Sequence, residues 1–378
     1  VCNVALSGLV FVGATAQSSG TANGLGLYVT TANVTVTQCT FKRFNTLGSG
    51  AAVYAKQLAV VTVVNSRFSW NYADYRAGAV LASGSSFVNL TGCTLDHNGA
   101  SVSNYGDGGA LSAEASGFAL AFQCVFDSNY AALGASASAW DDTLLILRNS
   151  TLRNGTALEG GGVYGRTNND GQVVVESSLL NKCWAQTGSA ISVSYYTSLF
   201  VHQTVIADNA GVLGSECTGL NCASTLLIMR LFAAAAFYEN SYAEFHNTTF
   251  VRNSCQHGCG VLSSDAAEGF VSGSVFRDGI AAAAGAGADI EGNGYIRFEY
   301  SSFLDNTALN GAAISVFTSG TASVFACLLQ GNAGGSGGAV LLRNSAAAFF
   351  TNSTAIGNTA LAMRTAVGGF AALLDTSY

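Results

Sequence analysis

The chain has 378 residues, more than one ordinary domain holds, but only 10% of them are charged, while 49% are hydrophobic, 45 are Gly and none is Pro. That much apolar surface argues against disorder, and a net charge of −7 without any Lys/Arg-rich cluster disfavours nucleic acid or an anionic membrane as partner. The longest apolar run, "TLLIMRLFAAAAFY" (225–238), is broken by Arg230 and falls short of the roughly 18–20 residues that span a bilayer, so it reads as core and no transmembrane segment is expected.

The chain begins "VCNVALSGLV", without Met or a basic leader, which predicts a mature chain or a fragment of a longer one. From about residue 30 one unit recurs. A large apolar residue marks each copy, in chain order Phe41, Phe68, Leu95, Phe126, Leu152, Leu180, Ile206, Phe250, Phe276, Phe303 and Leu329, with Ala355 in the last. The gaps are 27, 27, 31, 26, 28, 26, 44, 26, 27, 26 and 26, a period near 27 with two insertions, and Leu9 fits an earlier copy. A repeat that fills the chain predicts one solenoid domain over 1–378.

Two residues before each mark stands Ser, Cys or Thr, as at Cys39, Ser66, Cys93, Cys124, Ser150 and Cys327. An alternating stretch runs into it, for example "NVTVTQCTF", "LLILRNSTL" and "YIRFEYSSF". Period-two alternation means β-strand, so the small residue and the mark share one face, and that face points inward. A second strand is predicted to begin at Val53, Val80, Val163, Ile191, Val261, Ile314 and Val340. No segment carries a 3.6-residue amphipathic period, which rejects the leucine-rich repeat with its helical half. Three short strands per coil predict an all-β, right-handed, single-stranded parallel β-helix of about 12–13 coils. Coils stacked about 4.8 Å apart give a rod of about 60 Å with an internal stack of Phe rings.

Three residues after the mark stand Asn71, Asn98, Asn129, Asn209, Asn253, Asn306, Asn332 and Asn358. Asn tolerates the left-handed backbone of a sharp turn, and its amide bonds to the Asn above and below as a ladder. The small-residue cluster that follows lets the backbone turn without a Cβ in the way.

The pairing of F-x-x-N (FSWN 68–71, FDSN 126–129, FVRN 250–253, FLDN 303–306) with GGA-[ILV] (GGAL 108–111, GGAV 337–340) resembles the repeat of chlamydial polymorphic outer-membrane proteins. GAAV 50–53, AGAV 77–80, GSAI 188–191 and GAAI 311–314 are looser copies. The resemblance implies a β-helical surface passenger or adhesin. Departing from that family, the chain has no C-terminal translocator barrel and is unusually rich in Ala; similar repeats also occur in large eukaryotic surface proteins.

Of ten cysteines, Cys39, Cys93, Cys124 and Cys327 occupy the small inward position, where a free thiol behaves as a small hydrophobe. Cys183 replaces the ladder Asn. The disulfide candidates are local: Cys217–Cys222 in "ECTGLNC", within the longest insertion, and Cys255–Cys259 in "CQHGC". His257 lies inside the second, but no further C-x-x-C or His at ligand spacing accompanies it, so neither metal nor cofactor is expected. Disulfides imply an oxidising, extracellular or cell-surface location. Six N-x-S/T sequons occur, at Asn33, Asn89, Asn149, Asn154, Asn247 and Asn352. Asn149, Asn247 and Asn352 share one coil position and form a row of glycan acceptors if it faces out, or turn residues if it does not.

Polysaccharide-cleaving β-helices need clustered Asp beside a catalytic base or cation. Asp141, Asp142, Asp170, Asp289 and Glu291 are placed several coils apart by this register, His97, His202, His246 and His257 are scattered, and no catalytic residue is assigned. Trp70 at an outward corner, with Trp140, Tyr195 and Tyr196 in loop-like positions, are candidate surface contacts with glycans or proteins. Insertions near 99–107, 213–224 and 281–293 are the places where loops would carry specificity. The expected function is therefore a non-catalytic structural rod in a surface filament, wall or coat. Its partners would be copies of itself or other surface proteins. A cell-surface adhesin is the alternative and a polysaccharide lyase or glycoside hydrolase the second.

Overall fold

A computed structural model describes residues 2–13, 23–211, 233–362 and 370–374. All regular structure among them is β, with no helix and therefore none long and apolar enough to cross a membrane. Every strand pairing among the described residues is parallel, coil to coil, and the chain is a β-solenoid repeat protein. Its residues fall into two compact units, 1–184 with 196–198, and 185–195 with 199–378.

One coil of the first unit shows how the sequence makes the element order. Val53–Lys56 is followed by Val60–Val64, Arg67–Ser69 and Tyr72–Ala73, and the next coil repeats this with Val80–Ser83, Phe87–Thr91, Thr94–Asp96 and Gly99–Ala100. The fourth strand is an addition to the three expected. It is only two residues long here, too short to show alternation. The strands Val53–Lys56, Val80–Ser83, Val163–Thr167, Ile191–Tyr195, Val261–Ser263, Ile314–Val316 and Val340–Leu342 begin at the residues that the small-residue clusters predict.

Sharp corners separate the strands. Asn65 (φ 48°) ends the long strand Val60–Val64, and Trp70 (φ 58°) ends the three-residue strand; Asn149, Asn247 and Asn352 hold the first kind of corner, and His97, Asp208, Arg252 and Asp305 the second. The ladder Asn residues are not the left-handed ones, contrary to the expectation above: the residue before each takes that conformation, strained in six of them and free of strain at Gly331 and Gly357, leaving the Asn amide to bond sideways. The GGA-[ILV] motif has a related logic. Gly108 lies at φ 58°, and a Cβ on Gly109 would meet the Ala135 carbonyl at 2.4 Å, so one glycine supplies the turn and the next the close approach of backbones.

The interior is filled by the marks. Phe11, Phe41 and Phe68 stack at centroid distances of 4.5 and 5.0 Å in the first unit, so the mark of the earliest copy is Phe11, in register with Phe41, and not the exposed Leu9. Phe250, Phe276 and Phe303 stack at 4.7 Å in the second. Two polar ladders flank each stack. Asn71 donates through both its backbone N–H (3.1 Å) and Nδ2 (2.9 Å) to Asn98 Oδ1, and Asn98 does the same to Asn129. In the second unit Asn209 bonds Asn253 this way, and Asn306, Asn332 and Asn358 form a continuous run. Ladder amides also donate to the carbonyl of the preceding coil's mark, as Asn98 Nδ2 does to Phe68 O at 3.0 Å.

The second ladder explains why the small inward residue is so often Ser. Ser66 Oγ accepts the Cys39 N–H at 3.0 Å and Ser178 Oγ accepts the Ser150 N–H at 3.1 Å; each hydroxyl donates back to the carbonyl two residues earlier. The hydroxyl thus satisfies buried backbone groups at a corner where the sheet ladder is broken.

The segment 281–293 is not an insertion. It forms Ile280–Ala284 and Ala288–Ile290, paired in register with the coils on either side apart from a bulge between Ala281 and Ala284. The segment 99–107 does contain a turn, at 102–105, but it ends on a buried residue, Asp107. The segment 213–224 and its Cys217–Cys222 pair lie outside the described residues.

Candidate functional site

Alternation on the long strands sends every second side chain outward. In the first unit this stacks Phe87, Phe118 and Leu144 in one column, and Leu120, Ile146 and Val174 in the next. All six are half-buried, and with Val60, Val64 and Phe122 they make a flat, uncharged, largely apolar face. Asn89 stands within it, and the Arg148–Glu176 pair (2.7 Å) borders it. Strands about 17 Å long at ~4.8 Å spacing give four coils of this face a projected area of roughly 300 Å², the size at which surface patches are often functional.

At one edge of this face, the turns that lead into the long strands leave a cleft of about 460 Å³ bordered by Ser116, Thr143, Asn169 and Gln172 with the carboxylates Asp142 and Asp170. The two carboxylates come from neighbouring coils and line the same opening, which corrects the expectation that they lie apart. Asp141 turns away and accepts a hydrogen bond from Asn168 Nδ2 at 3.2 Å.

Beneath the turns of the first unit lies a buried charged group. Asp107 accepts hydrogen bonds from Ser112 Oγ (3.0 Å) and Ser138 Oγ (2.8 Å), and pairs with Arg76 Nε at 2.9 Å. Arg76 also pairs with Glu114. Burial pushes the Asp107 carboxyl up to about 6, against the opposing pull of Arg76, Ser138 and Ser112. Trp140 belongs here and not to a loop. It ends the strand Ala137–Trp140, with the guanidinium groups of Arg76 and Arg166 at 5.0 and 5.7 Å from its ring.

The remaining surface candidates fall in different places. Trp70 is 59% exposed and stacks on His97 at 4.3 Å. Tyr195 ends the strand Ile191–Tyr195 half-buried, and Tyr196 is 55% exposed. The histidines are not scattered: besides His97, His202 stacks on His246 at 5.0 Å, and His246 Nε2 lies 3.2 Å from Glu244. Five of the six sequon asparagines, Asn33, Asn149, Asn154, Asn247 and Asn352, are exposed, and Asn89 is half-buried. The coil position shared by Asn149, Asn247 and Asn352 therefore faces out.

Cys93 and Cys124 are free thiols buried on successive coils; Cys93 Sγ donates to Val63 O and Cys124 Sγ to Leu90 O, each at 3.5 Å, and the nearness of the two thiols lowers the pKa of Cys93 and, with burial, raises that of Cys124. Cys255 and Cys259 form a disulfide, with Cα atoms 5.2 Å apart. Cys39, Cys183 and Cys327 are likewise buried and outside any disulfide.

The disulfide brackets a group that the sequence reading missed. His257 ends the strand Ser254–His257, and its Nδ1 lies 3.0 Å from Asp289 Oδ2 and 3.8 Å from Glu291 Oε1, one coil further on. Asp289 is fully buried. Burial raises its pKa, and the hydrogen bond and charge of His257 hold that rise back. For His257 burial works against the charged form, but Asp289 and Glu291 outweigh it and raise the pKa. Asp289 Oδ1 has no hydrogen-bond partner; Ser315, its register neighbour on the next coil, is near enough to damp the pKa rise but its Oγ makes no aligned hydrogen bond. The spacing of 32 residues between His257 and Asp289 is one coil plus a few residues, so only the coil register reveals the pair.

Residues 7–152 match the family described as the right-handed β-helix region. No curated protein and no solved structure matches the chain.

Proposed function

We propose that this chain is a non-catalytic, extracellular structural building block, a unit of a surface filament, wall or coat. The observation that carries the reading is the flat apolar outer face built by Phe87, Phe118, Leu120, Leu144, Ile146 and Val174. Apolar side chains held in register on a rigid sheet gain by covering one another, at about 25 cal/mol per Å² removed from water. A second copy presents the same chemistry. The disulfide Cys255–Cys259 and the exposed sequons support an oxidising, extracellular setting. Sedimentation velocity over a range of concentrations tests the reading. The wild-type chain is expected to self-associate, and Leu120→Lys with Ile146→Lys to sediment as a monomer with an unchanged circular dichroism spectrum. A wild-type chain that stays monomeric at high concentration would oppose it.

The likeness to the polymorphic outer-membrane protein repeat supports an adhesin as the alternative, read by saturable binding to cell or glycan surfaces. The shared cleft of Asp142 and Asp170 favours a second alternative, an enzyme on acidic polysaccharides. Release of reducing or unsaturated ends, lost in Asp170→Asn, would establish it.

A further inference from the structure

We propose that His257, Asp289 and Glu291 form a binding site for one divalent transition-metal ion, zinc being the ion that suits them best. Three observations independent of the assembly reading converge on it. First, the donor atoms are already gathered. One ligand atom from each residue lies within 4.8 Å of the others, and His257 Nδ1 is 3.0 Å from Asp289 and 3.8 Å from Glu291. Ligands about 2.0–2.2 Å from a common tetrahedral centre stand roughly 3.4 Å from one another, so small side-chain rotations complete the geometry.

Second, Asp289 is 0% exposed and its Oδ1 is without a hydrogen-bond partner. A buried carboxylate with one oxygen unpaired is costly to keep charged, and a cation bound to the carboxylate through Oδ2, the oxygen that faces His257, lowers that cost. Third, the imidazole is held in place. The Cys255–Cys259 disulfide closes a five-residue turn with His257 at its centre, and Asp289 lies in the strand Ala288–Ile290, fixed by its neighbours on both sides. One imidazole with two carboxylates suits Zn²⁺ or Mn²⁺ better than Ca²⁺ or Mg²⁺, which take oxygen ligands. The His257 and Glu291 side chains are 26% and 29% exposed, which opens the site to solvent for entry of the ion and leaves a fourth position for water. Bound there, the ion would clip the coil of His257 to the coil of Asp289 and Glu291.

The test is calorimetric titration of the oxidised full chain with Zn²⁺ alone, in a Cys2→Ser background because Cys2 is an exposed free thiol. Expected are one equivalent of Zn²⁺, an at least tenfold weaker Kd in both His257→Gln and Glu291→Gln, and visible d–d bands of tetrahedral type when Co²⁺ replaces Zn²⁺. Glu291→Gln is the safer variant for folding because that side chain is partly exposed. Absence of stoichiometric uptake would overturn the site, and so would uptake that neither substitution weakens. Either result leaves the self-association assay above unaffected.

Discussion

At the scale of single residues, the polar groups buried in each coil are fixed by the one above it. Asn98 Oδ1 accepts two donors from Asn71, and its own Nδ2 donates to the Phe68 carbonyl. Asn98→Ala strands those groups in the dry interior. Each buried unsatisfied group costs about 1–3 kcal/mol, so the variant should lose roughly 2–4 kcal/mol in denaturant unfolding, and Asn358→Ala, at a partly buried position, clearly less. A similar loss for the two variants would deny the ladder its role. Asp107 gives a pH signature. Its folded-state pKa, about 6, lies above the ordinary carboxylate value, so the folded chain holds that proton more tightly than the unfolded chain. The stability this confers is present below about pH 4 and is lost as the pH rises through 6. At ~1.4 kcal/mol for each pH unit between those two values, the contribution is about 3 kcal/mol. Measured against Asp107→Asn, which removes the titration, wild-type stability should fall by up to that amount between pH 4 and 7. Parallel curves would rule it out.

At the scale of elements, the legible parts are those whose signal is periodic. The inward mark and the second-strand starts repeat every 27 residues or so, and the Phe stacks follow from that spacing alone. The Asn positions are legible too, but the backbone reason is not: the strain sits on Trp70, His97 and their equivalents, which share no residue type. The fourth strand is too short to alternate, and 281–293 reads as irregular because its Ala-rich strands carry no apolar–polar contrast. The His257 group is hidden for another reason. Its members converge through coil register, across a bulge at Cys255/His257, and no short motif encodes that. Packing sets two expectations at this scale. Phe276→Ala should cost about 3–5 kcal/mol in denaturant unfolding, whereas Phe276→Leu, the residue found at this position in other coils, should cost about 1 kcal/mol. Cys255→Ser with Cys259→Ser should cost about 2 kcal/mol by loop-closure entropy for so short a loop, with faster amide hydrogen exchange confined to 254–260.

At the scale of the molecule, the same device serves inside and outside. Stacking identical side chains in register fills the core, and on the outer face of the long strands it produces an apolar surface that no charge interrupts between Val60 and Ile146. A fold that commits its polar side chains to coil-to-coil ladders is suited to carrying load and to assembling. Among the described residues, the cleft of Asp142 and Asp170 and the proposed His257 site are places where polar side chains converge instead. The most direct measurement is electron microscopy of the protein in its native material, with mass analysis of the six sequon peptides. Regular filaments or layers, with glycan mass on exposed sequons and none on the half-buried Asn89, are the predicted result. Isolated, unassociated particles in that material would contradict the account and turn attention to the Asp142–Asp170 cleft.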